Sequence, residues 1–321
     1  MDSSELYHVG MKALVLGGTS LTGPFVARRL HALGHRVTVF HRGVHEVELP
    51  AGVEHIHGDL GDPPRELGAL SPDVAIHMWA MTEAGAARFL ELFAGVAGRA
   101  VVVSSGDVYR AYGRLQRLES GAAEAGPLTE DAPLRESRYP YRGKPVPADV
   151  GEWYDKVLVE GVLRGQTELP VTIVRFPAVY GPGDYHRFRP WVRKFTAAAG
   201  ECQVQEDFAA WRWTHGFAED VAEAVVLAAT REAAAGRTYN VGEAVTPAWA
   251  ERLEEWARVA GWKGRMVAVP AAELPENERL PLDFTHHLDM DTGRIRRELG
   301  YAEIVPREEA IGRTIAWERT E

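Results

Sequence analysis

Short apolar runs recur along the first half of the chain, each closed by a turn and followed by a stretch with helical spacing. Ala13 to Leu16 is the first, and its length and unbroken hydrophobicity predict a buried parallel strand. Arg36 to Phe40, Val53 to His57, Asp73 to His77, Ala100 to Ser104 and Val171 to Arg175 repeat the pattern and predict five more strands. Between them, 25–33, 83–97 and 148–164 read as amphipathic helices. Strands alternating with helices predict an α/β fold, a Rossmann-type doubly wound parallel sheet, with ligands at the carboxyl ends of its strands. Past Gly183 the alternation weakens. Helices at 220–230, 247–260 and 291–299, a last one from near Pro306, and short strands near Val204, Tyr239 and Met266 predict a smaller C-terminal α/β lobe. The expected division is 11–183 for the dinucleotide-binding domain and 184–321 for the substrate lobe, with 208–242 returning to the first domain. The substrate is expected in the cleft between them. Segment 106–147 is long for a connection and rich in Pro, Gly and charge, which marks it as functional or mobile.

The first strand runs into Gly17-Gly18-Thr19-Ser20-Leu21-Thr22-Gly23 and Pro24, where the next helix begins. A glycine turn between a parallel strand and a helix N-terminus points backbone N–H groups, and the positive end of the helix dipole, at an anion. The spacing is that of a dinucleotide fingerprint with Ser20 at the middle glycine, where the hydroxyl offers a further phosphate contact. The second strand ends in Phe40-His41-Arg42-Gly43, where an NAD-preferring protein carries an acidic residue about 20 residues past the glycines. His41 and Arg42 favour a ribose 2′-phosphate, hence NADP ahead of NAD. Asp59, His77-Met78-Trp79-Ala80 and Ser104-Ser105 also fall at strand carboxyl ends.

Composition narrows the class. The chain has 321 residues, 45% of them apolar, and a net charge of −10, which disfavours nucleic acid as a general partner. The single cysteine, Cys202, excludes an intrachain disulfide framework. Met1 to Gly10 are polar, lack a secretory apolar segment and are set aside as a tail, with Met11 offering a second start. No run is long enough to span a membrane, so a cytoplasmic protein is expected. No metal site is expected: His55 and His57 read as strand positions, and His286-His287 lacks zinc-ligand spacing.

Taken together, the motifs resemble the extended short-chain dehydrogenase/reductase family, the NAD(P)-dependent sugar-nucleotide epimerases and dehydratases. The resemblance spans about residues 12–317. It rests on Gly17 to Gly23, Gly58-Asp59-Leu60, Ser104-Ser105-Gly106-Asp107-Val108-Tyr109, Lys156-x-x-x-Glu160, Arg175-Phe176-Pro177 and Val179-Tyr180-Gly181-Pro182. Asp220-Val221-Ala222, Tyr239-Asn240-Val241 and Arg297 to Tyr301 extend it. It implies hydride transfer at a sugar carbon and dimerisation through paired helices. By position it implies that Asp59 approaches the adenine, that Pro177 packs by the nicotinamide, and that Leu60, Met78, Trp79, Ala80, Ser104, Phe176 and Val179 also line the cofactor. It places Ser105 on a substrate oxygen, Lys156 on the nicotinamide ribose, and Met81, Tyr109, Arg187, Arg189 and Arg193 with the substrate, the arginines on its diphosphate.

One departure stands out. The family pattern is Tyr-x-x-x-Lys, and the position four before Lys156 is Glu152. On a continuous helix Glu152 and Lys156 share a face, and Glu152 becomes the expected acid–base group, with an ordinary ion pair as the alternative. Tyr154 lies roughly 200° around such a helix from Lys156 and points away, unless the helix begins later. Other expectations are a tyrosine reaching in from Tyr109, Tyr139 or Tyr141, or a protein that binds NADP(H) without turning it over, as a sensor or partner-binding protein. An RNA-binding role for Arg187 to Lys194 is disfavoured by the net charge.

Overall fold

A computed structural model describes residues 10–144, 151–184, 186–197 and 200–320. The predicted tail, apart from Gly10, the last residues of the connection, 145–147, and the first of the helix expected over 148–164, 148–150, lie outside the described residues. In order, the first half contains β1 (Lys12–Leu16), α1 (Gly23–Ala32), β2 (Arg36–His41), β3 (Glu54–His57), α2 (Arg65–Gly68), β4 (Val74–His77), α3 (Glu83–Phe93), β5 (Arg99–Ser105), α4 (Arg110–Leu115), α5 (Lys156–Arg164) and β6 (Val171–Phe176). Then follow β7 (Ala178–Tyr180), α6 (Arg189–Ala197), β8 (Glu201–Gln205), α7 (Glu206–Ala210), β9 (His215–Phe217), α8 (Ala218–Thr230), β10 (Thr238–Asn240), α9 (Trp249–Val259), β11 (Arg265–Val269), α10 (Gly293–Leu299) and α11 (Arg307–Thr320).

Seven strands form one parallel sheet in the order β3-β2-β1-β4-β5-β6-β10. The order reverses between β1 and β4, the switch point at which such sheets open a ligand crevice. Strict alternation assigns each side chain to one of two layers. Ala13, Val15, Ile76, Val101 and Val103 face α1, α8 and α10, while Leu14, Leu16, Ala75, Ala100 and Val102 face α3 and α5. A third core, rich in Trp and Phe, lies under α6, α7, α9 and α11; there Phe188 and Trp256 stack with ring centroids 3.7 Å apart. Two parallel strand pairs, β8 with β11 and β7 with β9, complete the fold.

Two helix assignments change. The helix expected over 148–164 starts at Lys156. Asp155 caps it, accepting hydrogen bonds from the N–H groups of Val157 (2.9 Å) and Leu158 (3.4 Å), and its carboxylate is fixed by Arg135 (3.2 Å) and the Tyr139 N–H (2.7 Å). A capping aspartate beside a buried guanidinium ends a helix on its N-terminal side more firmly than apolar spacing can extend it. The second change is α4, inside the connection expected to be functional or mobile. Its six residues are too few for periodicity to reveal.

Several residues of the family motifs tie the layers together. Arg175 on β6 makes a bidentate pair with Glu160 on α5 (2.9 and 2.7 Å). Glu160 also accepts from the Ser104 hydroxyl (2.7 Å). Arg175 further donates to the Tyr109 hydroxyl (2.9 Å), which donates to Asn240 on β10 (2.6 Å). All five side chains are buried, so the forked donors and the carboxylate satisfy one another in the interior.

Candidate active site

The β1–α1 turn has the geometry a pyrophosphate needs. Gly17 adopts φ +77°, which favours glycine, and its N–H donates to the Phe40 carbonyl (2.9 Å). A Cβ on Gly23 would lie 2.5–2.7 Å from the backbone of Gly18, so strand end and helix start touch through glycine alone. Thr22 stands at the N-cap without a side-chain cap bond, and the first turn of α1 holds no acidic residue. The N-terminal donors and the dipole therefore face the turn without a competing carboxylate. Thr19 and Leu21 are half-buried and Ser20 is exposed on the same turn. These features fit a dinucleotide.

Around the turn the structure gathers the other strand ends. Half-buried Trp79 lies against Gly17, and a Cβ there would meet the Trp79 Cβ at 3.0 Å. The Met78 N–H donates to the Leu16 carbonyl (2.9 Å), joining β4 to β1 at the crevice. Arg42 is exposed past β2. Buried His41 accepts from the Gly43 N–H (3.2 Å) and bonds His55 (3.0 Å). Asp59 is exposed, its carboxylate accepting from the Gly61 N–H (2.8 Å) in a local turn, with Leu60 next to it. Phe176 and Pro177 are half-buried at the end of β6, and Val179 is buried just beyond.

At the end of β5 the site takes a form the sequence reading did not favour. Because α5 begins at Lys156, Glu152 is in an exposed turn and forms no helical pair with it. The residue just before the cap is Tyr154, which is buried and reaches Asp107 just past the end of β5. Its hydroxyl donates to Asp107 (2.7 Å), and the Ser105 side chain, which accepts the Asp107 N–H (3.2 Å), acts on it from nearby. Lys156 places its ammonium 5.8 Å from the Tyr154 ring centre and donates to the carbonyls of Ala80 (2.8 Å) and Val103 (3.0 Å). Burial lowers the Lys156 pKa to about 8, against the opposing pull of Asp107 and Glu160. Tyr154, Ser105 and Lys156 are therefore together, with Tyr154 two residues before the lysine. The usable signal was the Asp155-Lys156 step before an apolar run, an N-cap.

Other expected site residues separate. Ser104 and Ser105 are neighbours on a strand and point to opposite faces, so Ser104 joins Glu160 in the interior instead of lining the crevice. Tyr109 is likewise an interior residue; burial pushes its pKa up to about 12. The three arginines do not form one clamp. Arg189 donates to Glu318 (2.8 Å), Arg193 is exposed on α6, and Arg187 lies over the Trp213 ring at 4.9 Å. Arg187 acts electrostatically on Tyr112, whose hydroxyl meets that of Tyr141 (2.8 Å) beside Asp107. Tyr139 contributes its N–H to Asp155 while its ring packs on Trp153. Half-buried Met81 gives its carbonyl to the Asp155 N–H (3.1 Å).

A profile of the NAD dependent epimerase/dehydratase family matches residues 13–242, from β1 through the return of β10 to the sheet. The chain belongs to this family. It is 29% identical over 272 residues to 2′-dehydrokanamycin reductase of Streptomyces kanamyceticus, covering 81% of this chain and 70% of that protein. Among solved structures, the epimerase Mth375 of Methanothermobacter thermautotrophicus superposes with a TM-score of 0.71 at 21% identity, covering 98% of this chain and 93% of that one. The dTDP-glucose 4,6-dehydratase DesIV of Streptomyces venezuelae, solved with NAD bound, gives 0.69 at 22% identity, covering 97% and 98%. The chain is thus an enzyme of the epimerase/dehydratase/reductase kind. Among the described residues no helix is long and apolar enough to cross a membrane.

His77, at the end of β4, carries a consequence for stability. It is buried and stacked on Phe89 at 5.1 Å, and its Nδ1 has no hydrogen-bond partner among the described residues. Burial, aided by the Lys156 charge, lowers its pKa from 6.5 to about 3. Between those values the unfolded chain holds a proton that the folded chain does not, so this stability is present above pH 6.5 and lost as pH falls toward 3. Replacing His77 by Phe is expected to remove about 3 kcal/mol of the destabilisation between pH 7 and pH 4. Urea unfolding of both proteins at the two pH values measures it; parallel pH trends would show that His77 does not titrate this way.

Proposed function

We propose that this enzyme uses NADP(H) to interconvert a hydroxyl and a ketone on a sugar, either a sugar nucleotide or a related carbohydrate. The observation that carries the reading is the meeting of Tyr154, Ser105 and Lys156 at the strand ends, beside a turn shaped for a pyrophosphate. The reductase and dehydratase relatives support the substrate class: one is named for reducing a dehydro-aminoglycoside, the other for a dTDP-sugar. When bound, the nicotinamide accepts or supplies hydride at the sugar carbon. Ser105 bonds the reacting oxygen. Tyr154 exchanges a proton with it, and Lys156 holds the nicotinamide ribose and keeps positive charge beside the phenol. The non-catalytic alternative drew its support from a missing tyrosine, and the nearness of Tyr154 to Ser105 and Lys156 supports the catalytic reading instead.

Absorbance of the reduced nicotinamide, followed with NADPH or NADP⁺ against sugar nucleotides and keto-aminoglycosides, tests the reaction. A sugar-dependent change supports it; confirmed NADPH binding with no change across both classes counts against it. Arg42 tests the cofactor. A guanidinium on the 2′-phosphate makes a charge-assisted contact, so Arg42→Ala should weaken NADPH about 10- to 100-fold while leaving NADH within a few-fold. Titrations monitored by tryptophan quenching measure both, and an equal loss for the two cofactors would contradict NADP selection at this position.

A further inference from the structure

A tyrosine that serves as a base by accumulating as tyrosinate needs cations nearby and no anion. Tyr154 has the Lys156 ammonium near its ring but a carboxylate in direct contact with its hydroxyl. Its hydroxyl donates to the Asp107 carboxylate at 2.7 Å, and both side chains are buried. Lys156 spends two of its N–H bonds on the carbonyls of Ala80 and Val103. Burial, and then Asp107, hold the Tyr154 phenol well above the usual tyrosine range.

Asp107 is itself unusual for a buried carboxylate. Its Oδ1 has no hydrogen-bond partner among the described residues. Its Oδ2 takes the Tyr154 hydroxyl and, at 3.4 Å, that of Tyr141. Arg135 is close, yet its guanidinium donates to Asp155 and to the carbonyls of Asp107 and Ser137, not to this carboxylate. The charged and titratable groups acting on Asp107 are Arg135 and Asp155 from flanking segments, Lys156 from α5, and the phenols of Tyr112, Tyr141 and Tyr154. Burial outweighs the two cations and raises its proton affinity above that of an ordinary aspartate. Asp107 is thus built to take up a proton and Tyr154 to stay neutral.

We propose that Asp107 holds the catalytic proton and that Tyr154 passes it between Asp107 and the substrate. This rests on the proposed oxidoreductase reading and adds a residue that acts through another. In the reducing direction a bound dihydronicotinamide would supply the hydride that forms a C–H bond at the ketone carbon. The C=O π pair moves onto oxygen, which takes the Tyr154 proton, while Tyr154 takes the proton from the Asp107 carboxyl. Ketone, hydride and proton give the alcohol, and Asp107 is left as carboxylate. In the oxidising direction the same protons return to Tyr154 and Asp107 as hydride leaves the carbon. Tyr141, half-buried and bonded to Tyr112, lies on the outer side of the carboxylate, where the proton is exchanged with solvent.

The experiment has two arms on the full chain. The first uses ligand-free protein and the near-ultraviolet absorbance of tyrosinate. Subtracting the Tyr154→Phe curve isolates Tyr154, both in the natural background and in Asp107→Asn, a change of the same shape that keeps a hydrogen-bond acceptor. Tyr154 should ionise at a lower pH in Asp107→Asn; an unchanged midpoint overturns the proposal. The second arm measures the pH dependence of kcat/KM with NADPH and a reducible sugar from the panel. Asp107→Asn should lower kcat about 10²-fold and abolish the ionisation set by the carboxyl, and Asp107→Glu should restore that ionisation. Full activity and an unchanged pH profile in Asp107→Asn overturn the proposal even if the midpoint moves. Near-ultraviolet circular dichroism identifies a misfolded variant, in which case Asp107→Glu alone decides by whether the carboxyl limb of the profile shifts. Absence of turnover in the natural protein across the panel would overturn the oxidoreductase reading, while a lowered midpoint would still establish the proton coupling of the pair.

Discussion

Tyr154→Phe is expected to lower kcat by about 10²- to 10⁴-fold while changing KM and NADPH affinity only a few-fold. The substitution removes one oxygen. That oxygen is the atom of the ring bonded to Asp107 at the strand ends, beside Ser105. The ring itself packs against Tyr141 with centroids 5.0 Å apart and lies near the Lys156 ammonium, and phenylalanine keeps both contacts. The loss therefore belongs to proton transfer and not to assembly of the site. Glu152→Gln is the matched comparison: Glu152 is exposed and precedes the capped start of α5, so its activity should stay near that of the natural protein. Steady-state kinetics on the two variants separate the readings. A large loss in Glu152→Gln with full activity in Tyr154→Phe would return the acid–base role to the glutamate.

Gly23→Val should abolish measurable NADPH binding, a loss of at least about 10²-fold, and should lower thermal stability as well. Its first side-chain atom would be placed 2.5 Å from the Gly18 Cα and 2.6 Å from the Gly18 carbonyl carbon. Both are backbone atoms of the turn, so relief requires the helix start to move away from the strand end. That movement breaks the Gly23 N–H bond to the Ser20 carbonyl (2.8 Å) and misaims the donors that would face a pyrophosphate. Overpacking of this kind costs about 1–3 kcal/mol, and here it falls where binding geometry is set. Gly161→Ala on α5 is the control, since a Cβ there meets nothing within 4 Å, and it should leave NADPH binding intact. Quenching of tryptophan fluorescence, with Trp79 beside Gly17, reads the binding, and a thermal melt reads the fold. NADPH binding by Gly23→Val at the natural affinity would contradict the assignment of this turn to the cofactor.

The sheet and its ligand edge were legible because they depend on local pattern. Four- to seven-residue apolar runs, separated by helical spacing, can be buried on both faces only as parallel strands, and the crevice follows from that topology. The glycine turn was legible for the same reason: Gly17 and Gly23 meet requirements of backbone conformation and contact that their immediate neighbours impose. Charge excess, the single cysteine and the apolar periodicity narrowed the class without any long-range contact.

What only the tertiary structure decided is where each polar side chain spends its hydrogen bonds. Tyr109, Ser104, Glu160 and Arg175 carry family motifs, yet they join in one interior network; strand alternation alone does not show which partner waits on the far side. The start of α5 was decided by Asp155, whose carboxylate is held by Arg135, 20 residues earlier in the chain. That one boundary moved Glu152 out to solvent and turned Tyr154 inward. The sequence by itself determined the family, the parallel sheet and the glycine turn after β1, because these rest on periodicity and backbone freedom. The tertiary structure decided which tyrosine stands beside Ser105 and Lys156, because a side chain's direction at a helix start depends on the cap, and this cap is completed by residues distant in sequence.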